Sequence, residues 1–211
     1  MKDFYRRFTI PEYETIRQEL LACIKHDFMS RDDVHSWIYP VLEVMSKCPT
    51  LEKFLNERLK QPYTEPIRQI KFYCTPPGAS LKPHIDGSRV KVPFGMNFPL
   101  LNTNDTFQYW YDCPEENIVL RPIAGQEFRD GKGFLGSVYV PEDDSLMEVI
   151  EQLELTTPCI TKTDIIHSVH NPTDKTRLIV VLRWDLYDIS YSEPEDVINL
   201  EGLEWNASTT G

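Results

Sequence analysis

The stretch that decides the fold is Asp164-Ile165-Ile166-His167-Ser168-Val169-His170-Asn171-Pro172-Thr173-Asp174-Lys175-Thr176-Arg177-Leu178-Ile179-Val180-Val181-Leu182-Arg183. It reads as strand, turn, strand. Ile165, His167 and Val169 alternate with Ile166, Ser168 and His170, the period of two of an extended chain with two unlike faces. Asn171 to Asp174 is turn chemistry. Leu178 to Leu182 is an apolar run short enough for a strand buried on both sides. One Arg opens that run and another closes it.

Upstream, the same period extends back to Pro66. Ile70, Phe72 and Cys74 alternate with Gln69, Lys71 and Tyr73. Short β-rich runs follow at 89–94, 96–101, 107–111, 117–123, 134–140, 158–162, 164–170 and 176–184, separated by Pro, Gly, Asn and Asp. Residues 145–154 fit either a short helix or a further strand. Before Pro66 the period is helical. Tyr13, Ile16, Leu20, Ile24 and Phe28 recur at steps of three and four, as do Leu51, Phe54, Leu55 and Leu59 behind a Pro49-Thr50 start. Val34, Trp37, Val41 and Met45 suggest a helix between them, kinked or shortened by Pro40. Helices followed by about eight strands predict a mainly β chain, a sandwich or jelly roll with N-terminal helices on one outer face. We expect one domain over 1–211: helical support over 1–62, the β unit over 66–186, and a tail over 187–211 whose polar end, Asn206 to Gly211, is disordered.

Asp and Glu number 33 against 22 Lys and Arg, a formal charge of -11. That sign opposes sequence-independent grip on a phosphate backbone, so general nucleic-acid binding is not expected. No run approaches the roughly 20 apolar residues of a membrane-spanning helix, and Met1 to Arg7 lacks the apolar stretch of a secretory signal. A cytoplasmic protein without a membrane partner is expected. The five Cys, at 23, 48, 74, 113 and 159, are odd in number and scattered. They suggest neither a disulfide framework nor a zinc site, and are read as reduced, mostly buried thiols.

The chemistry lies in two short patterns. His84-Ile85-Asp86 follows a Pro76-Pro77-Gly78 turn, and residues two apart on a strand share a face, so imidazole and carboxylate can converge on one ion. His167 can complete the set. Two neutral imidazoles and one carboxylate occupy one face of an octahedron and leave the other open, as Fe(II) centres that activate O2 require. A bidentate 2-oxo acid takes two open positions and O2 the third. The far carboxylate of such a ligand needs a planar cationic partner, which Arg177 can provide. Arg183 has the same parity and is the alternative anchor. His170 lies three residues from His167, on the opposite face of a regular strand, and is not expected to ligate.

These residues resemble the 2-oxoglutarate/Fe(II)-dependent oxygenase superfamily, in its aspartyl/asparaginyl or prolyl hydroxylase-like branches. Tyr73-x4-Gly78-x5-His84-x-Asp86 is similar to the proximal segment, and His167-x-Val169-x-Asn171-x5-Arg177 to the distal one, over residues 66–186. Lys162-Thr163-Asp164 stands where a Gly is usual before the distal strand. The resemblance implies a double-stranded β-helix of cupin-like type, with Fe(II) on His84, Asp86 and His167. It also implies a 2-oxoglutarate cosubstrate on Arg177, with Tyr73 at its carboxylate and Asn97 or Asn102 lining the same pocket. The implied reaction hydroxylates a C–H bond of a peptide side chain or small molecule, consuming O2 and releasing succinate and CO2. A non-oxygenase, cupin-like metal-binding protein is the alternative, although no His-x-His pair is present.

Three other features have a plainer reading. Phe107, Tyr109 and Tyr111 share a strand face and either line a pocket or pack as core. Lys82, Arg89 and Lys91 flank the His84 motif and suit solvated charges at a pocket mouth. Cys113, His26 and His35 have no partner at catalytic spacing.

Overall fold

The computed structural model describes residues 4–25, 27–60, 67–86, 94–128, 133–184, 198–199, 201 and 205–207. In chain order it begins with β1 (Tyr5–Phe8), α1 (Tyr13–Cys23), β2 (His35–Tyr39), α2 (Val41–Met45) and α3 (Pro49–Arg58). There follow β3 (Ile67–Thr75), β4 (Ser80–His84), β5 (Phe94–Leu101), β6 (Phe107–Asp112), β7 (Ile118–Phe128) and β8 (Gly133–Pro141). The last strands are β9 (Glu148–Glu154), β10 (Cys159–Lys162), β11 (His167–His170), β12 (Arg177–Trp184) and β13 (Trp205–Ala207).

The strands form a large sheet, β13-β1-β10-β5-β12-β3-β2-β7-β8, and a small one, β4-β11-β6-β9. From β3 to β6 the chain alternates between the sheets, and from β9 to β12 it retraces that path. β3 pairs with β12, β4 with β11, β5 with β10 and β6 with β9, every pair antiparallel. The chain is therefore a two-stranded ribbon coiled so that successive rungs fall in opposite sheets. That is a double-stranded β-helix, as the sequence predicts. The β7–β8 hairpin is inserted between the fourth strand of the outward path and the first of the return.

Parity along β12 sorts the two cores. Leu178, Val180 and Leu182 face the helices and pack with Ile16, Leu20, Leu51, Leu55, Phe72 and Phe98. Burial of each such side chain contributes roughly 1.5–3 kcal/mol. Ile179 and Val181 face the other way, into the space between the sheets, with Trp110 and Leu153. Arg177 and Arg183 share the parity of Ile179 and Val181, so both belong to the face between the sheets. The helices are also joined through a cap: the Glu19 carboxylate of α1 accepts from the Thr50 and Leu51 amides at the start of α3, at 3.1 and 3.4 Å.

Two expectations are corrected and one left open is decided. The helix predicted around Val34 to Met45 is a strand up to Tyr39, and α2 starts only after Pro40. Trp37, Ile38 and Tyr39 suit a strand buried on both sides, β2 takes the open edge of β3, and Pro40 forbids one continuous helix. The polar tail is not structureless throughout, because Asn206 and Ala207 lie in β13, paired with Arg7 and Arg6 of β1. Strands of three and four residues are too short to leave a periodic signal. Residues 145–154 form mostly the strand β9, after a tight turn at Asp144–Leu146. Of the run expected at 89–94 only Phe94 lies within the described residues, which also leave out His26, Arg89 and Lys91. No helix among the described residues is long and apolar enough to cross a membrane.

Candidate metal centre

The Pro76-Pro77-Gly78 turn leads into β4. Gly78 has φ +68°, a left-handed conformation that favours glycine. Pro83 cannot donate to a ladder, and at this point the register between β4 and β11 slips: His84 stands opposite His167, yet Leu81 stands opposite Val169. Three steps on β4 therefore match two on β11, a bulge that turns His84 to face His167. Their ring centroids are 4.5 Å apart. Asp86 follows, tethered by its own amide, which donates to the Thr163 carbonyl at 3.2 Å.

The three side chains converge. His84 Nε2 lies 3.7 Å from Asp86 Oδ1, and His167 Nε2 lies 4.0 Å from Asp86 Oδ2. All candidate ligand atoms fall within 4.8 Å of one another. His84 Nδ1 is 2.8 Å from the Lys82 carbonyl and His167 Nδ1 is 2.9 Å from the Ile165 carbonyl. A carbonyl can only accept, so each Nδ1 carries the hydrogen and each Nε2 offers its lone pair. First-row ions about 2.1 Å from their ligands keep adjacent ligand atoms about 3 Å apart, so the cluster needs only a slight contraction to hold one.

Electrostatics favour the ligating forms. Burial by itself would raise the Asp86 carboxyl, but Arg183 first, then His167, His84 and Lys71, outweigh it and hold the group well below the usual carboxylate range. Arg183 Nη1 donates directly to Asp86 Oδ2. Burial, and then the neighbouring His84, push His167 down to about 4, with Asp86 opposing. His167 is thus neutral at physiological pH.

At the other end of the same β12 face, Arg177 is only 1% exposed. Its Nε and Nη2 are buried without a hydrogen-bond partner among the described residues. Burial alone lowers it to about 10, with no charged neighbour contributing. Arg177 lines the same cavity as His84, Asp86 and His167. Arg183 stands six positions further along β12, a span of about 20 Å between backbones.

No family model matches the chain, and no curated protein does. Among solved structures it is similar to the non-heme monooxygenase ThoJ in its apo form, with 12% identity and a TM-score of 0.43 over 90% of this chain and 77% of that one. The non-heme alpha-ketoglutarate-dependent carbocyclase SnoK, from nogalamycin biosynthesis, is 13% identical with a TM-score of 0.34, over 87% and 80% of the two chains. A single-residue variant of oxalate decarboxylase from Bacillus subtilis is 10% identical with a TM-score of 0.35, over 84% of this chain and 33% of that one. Likenesses this distant carry no function, and the fold assignment rests on the strand order itself.

The remaining candidates divide by position. Tyr73, opposite Ile179 on β3, lines the cavity, as does Asn97. The Asn97 amide is already spent on Thr161 Oγ1 at 2.8 Å and the Gly95 carbonyl at 3.2 Å, so Asn97 shapes the wall without offering a free donor. Asn102 is a correction: it lies outside the cavity, at φ 51°, and its amide holds the Thr176 carbonyl at 2.8 Å. The aromatic stripe is also reversed. Gln108 and Trp110 are the buried face of β6, whereas Phe107, Tyr109 and Tyr111 are half-buried on its outer side. His170 shares that outer side, with Nδ1 2.7 Å from Ser80 Oγ. Lys82 is exposed, His35 meets Arg31, and Cys113 is next to Asn117.

Sequence reasoning missed Gln108 and Thr163, which both line the cavity. It also missed the work of Asn171. That fully buried amide donates to the Thr75 and Lys175 carbonyls at 2.8 Å each, tying the turn before Arg177 to the turn before β4. A lone Asn beside Pro172 carries no signal that separates this role from an ordinary turn residue.

Proposed function

We propose that the chain is an Fe(II)- and 2-oxoglutarate-dependent oxygenase, with His84, Asp86 and His167 as metal ligands and Arg177 as the anchor of the cosubstrate's far carboxylate. The observation that carries this reading is the buried, unpartnered guanidinium of Arg177 in the cavity of the His–Asp–His cluster. A desolvated cation without an anion costs several kcal/mol. A dicarboxylate that reaches from the cluster to Arg177 removes that cost, and a planar guanidinium binds it through two parallel hydrogen bonds.

Each of the chain's own residues has a task. The Lys82 and Ile165 carbonyls fix both imidazoles with Nε2 free. Arg183 occupies Asp86 Oδ2, which leaves Oδ1, on the His84 side, as the ligating oxygen. Burial, followed by the charge of Asp86, pushes the Tyr73 phenol well up, so it remains a donor to a bound carboxylate. Ile179, Val181, Val169 and Leu81 keep the cavity apolar between its charged ends. Fe(II) held by His84, Asp86 and His167 would supply O2 activation coupled to 2-oxoglutarate decarboxylation, for hydroxylation of a C–H bond of a peptide side chain or small molecule.

Anaerobic titration of the apo chain with Fe(II), then N-oxalylglycine, tests the proposal. One metal per chain is expected, with analogue binding that needs both the metal and Arg177. Metal binding with no affinity for any 2-oxo acid would favour the cupin-like metal-binding alternative instead.

A further inference from the structure

Behind the large sheet, away from the cavity, two of the cysteines meet. Cys23 is the last residue of α1 and Cys48 the residue that precedes α3. Their Sγ atoms are 3.4 Å apart, across 25 positions of sequence. They are 2% and 0% exposed. The other thiols do not pair: Cys74 faces the Phe28 carbonyl, Cys159 the Ile160 carbonyl, and Cys113 the Asn117 amide.

We propose that Cys23 and Cys48 form a redox-active dithiol that closes to a disulfide between the end of α1 and the start of α3. A disulfide needs the sulfurs at about 2.05 Å, a closure of about 1.4 Å from their present contact. Cys23 ends α1 and can follow the movement of its last turn, whereas Cys48 is fixed between its amide's bond to the Met45 carbonyl at 3.1 Å and its carbonyl's bond from the Glu52 amide at 2.9 Å. Exposed Lys25 and Lys47 flank the pair, their side chains 50% and 41% accessible. Attack by a small disulfide on this buried pair requires the last turn of α1 to open.

A low-molecular-weight disulfide serves as oxidant. The Cys23 thiolate attacks one of its sulfurs, forming a mixed disulfide and releasing one thiol. Cys48 then attacks the Cys23 sulfur and releases the second. Two electrons pass to the small disulfide, and the two cysteine protons end on the released thiols. Cys23 is suited to attack first. With the Cys48 S–H as donor across the 3.4 Å contact, that bond, helped by Lys47 and Lys25 against burial, lowers the Cys23 thiol. Cys48 is pushed up by the same hydrogen bond and by burial.

The folded, full-length chain is equilibrated in a series of oxidised and reduced glutathione mixtures, acid-quenched, alkylated and mapped by mass spectrometry. The expected result is a Cys23–Cys48 link ahead of any other pair, with Tm raised by about 5–10 °C over the reduced chain. Cys23→Ser and Cys48→Ser should lose both the link and the Tm rise, whereas Cys74→Ser should keep them. Wild-type mapping decides the matter even if a variant fails to fold. Free thiols at both positions across the whole series, a link that forms only after denaturation, or a glutathione adduct on Cys23 that never closes would each overturn the proposal.

Discussion

Arg177 and Arg183 stand on one face of one strand, six residues apart, both nearly fully buried at 1% and 8% exposed. They differ in what they face. Arg183 donates to the Asp86 carboxylate, while Nε and Nη2 of Arg177 meet no acceptor among the described residues. An ion pair explains itself within the chain, because each partner removes the other's desolvation cost. A buried cation without an anion does not, and so it points outward to a ligand. The same residue type on the same face thus has a structural role at one end of the cavity and, in the proposed function, a binding role at the other.

The sharpest way to break this comparison is Asp86→Ala, which removes a proposed metal ligand and takes from Arg183 the carboxylate it donates to. Metal affinity should fall by at least about 100-fold in calorimetric titration. The apo chain should also lose about 3 kcal/mol in urea denaturation. Undiminished metal binding would sink the assignment of the cluster.

Next come two isosteric replacements with opposite expected signs. Arg183→Met strands the Asp86 carboxylate and should destabilise the apo chain by about 3 kcal/mol. Arg177→Met removes a cation that pairs with nothing, so the apo chain should gain about 1–3 kcal/mol. The same Arg177 variant should weaken N-oxalylglycine binding about 100-fold while metal affinity stays unchanged. Stability changes of the same sign in both variants would erase the distinction between the two ends.

A smaller effect follows from pH. His167 is pushed from 6.5 down to about 4, so the unfolded chain takes up its proton at a higher pH than the folded chain. The stability from keeping it neutral is complete above about pH 6.5 and disappears as pH falls through about 4, amounting to at most about 3 kcal/mol. Asp86, whose carboxyl is held below its ordinary range, adds a further loss at still lower pH. Thermal melts of the chelator-treated chain should be level from pH 8 to 6.5 and decline toward pH 4. His167→Asn should flatten that decline. An unchanged slope would show that His167 does not set it.

The smallest effect is expected at His170, on the outer side of the small sheet with Ser80. His170→Ala should leave metal affinity within about threefold, since the residue contributes no group to the cavity. A loss of metal comparable to that of His167→Ala would mean that the wrong face of β11 has been taken as inward.

The amino-acid sequence by itself determined the succession of strands from Pro66 onward, because alternation and turn residues are local properties. It likewise marked His84, Asp86, His167 and Arg177 through residue type and spacing within those strands. It could not decide matters that depend on which of two faces turns inward. Phe107, Tyr109 and Tyr111 alternate as well as Gln108 and Trp110 do, and only the packing of the small sheet against the large one turned the second set inward, Gln108 to the cavity and Trp110 to the apolar core. The strand at His35–Tyr39 depended on the open edge of β3, a partner remote in the chain. Above all, the sequence shows two arginines of equal parity, and nothing local separates them. The Asp86 carboxylate stands 97 positions from Arg183, and only the coiling of the ribbon brings it within reach of that guanidinium while leaving Arg177 without an anion.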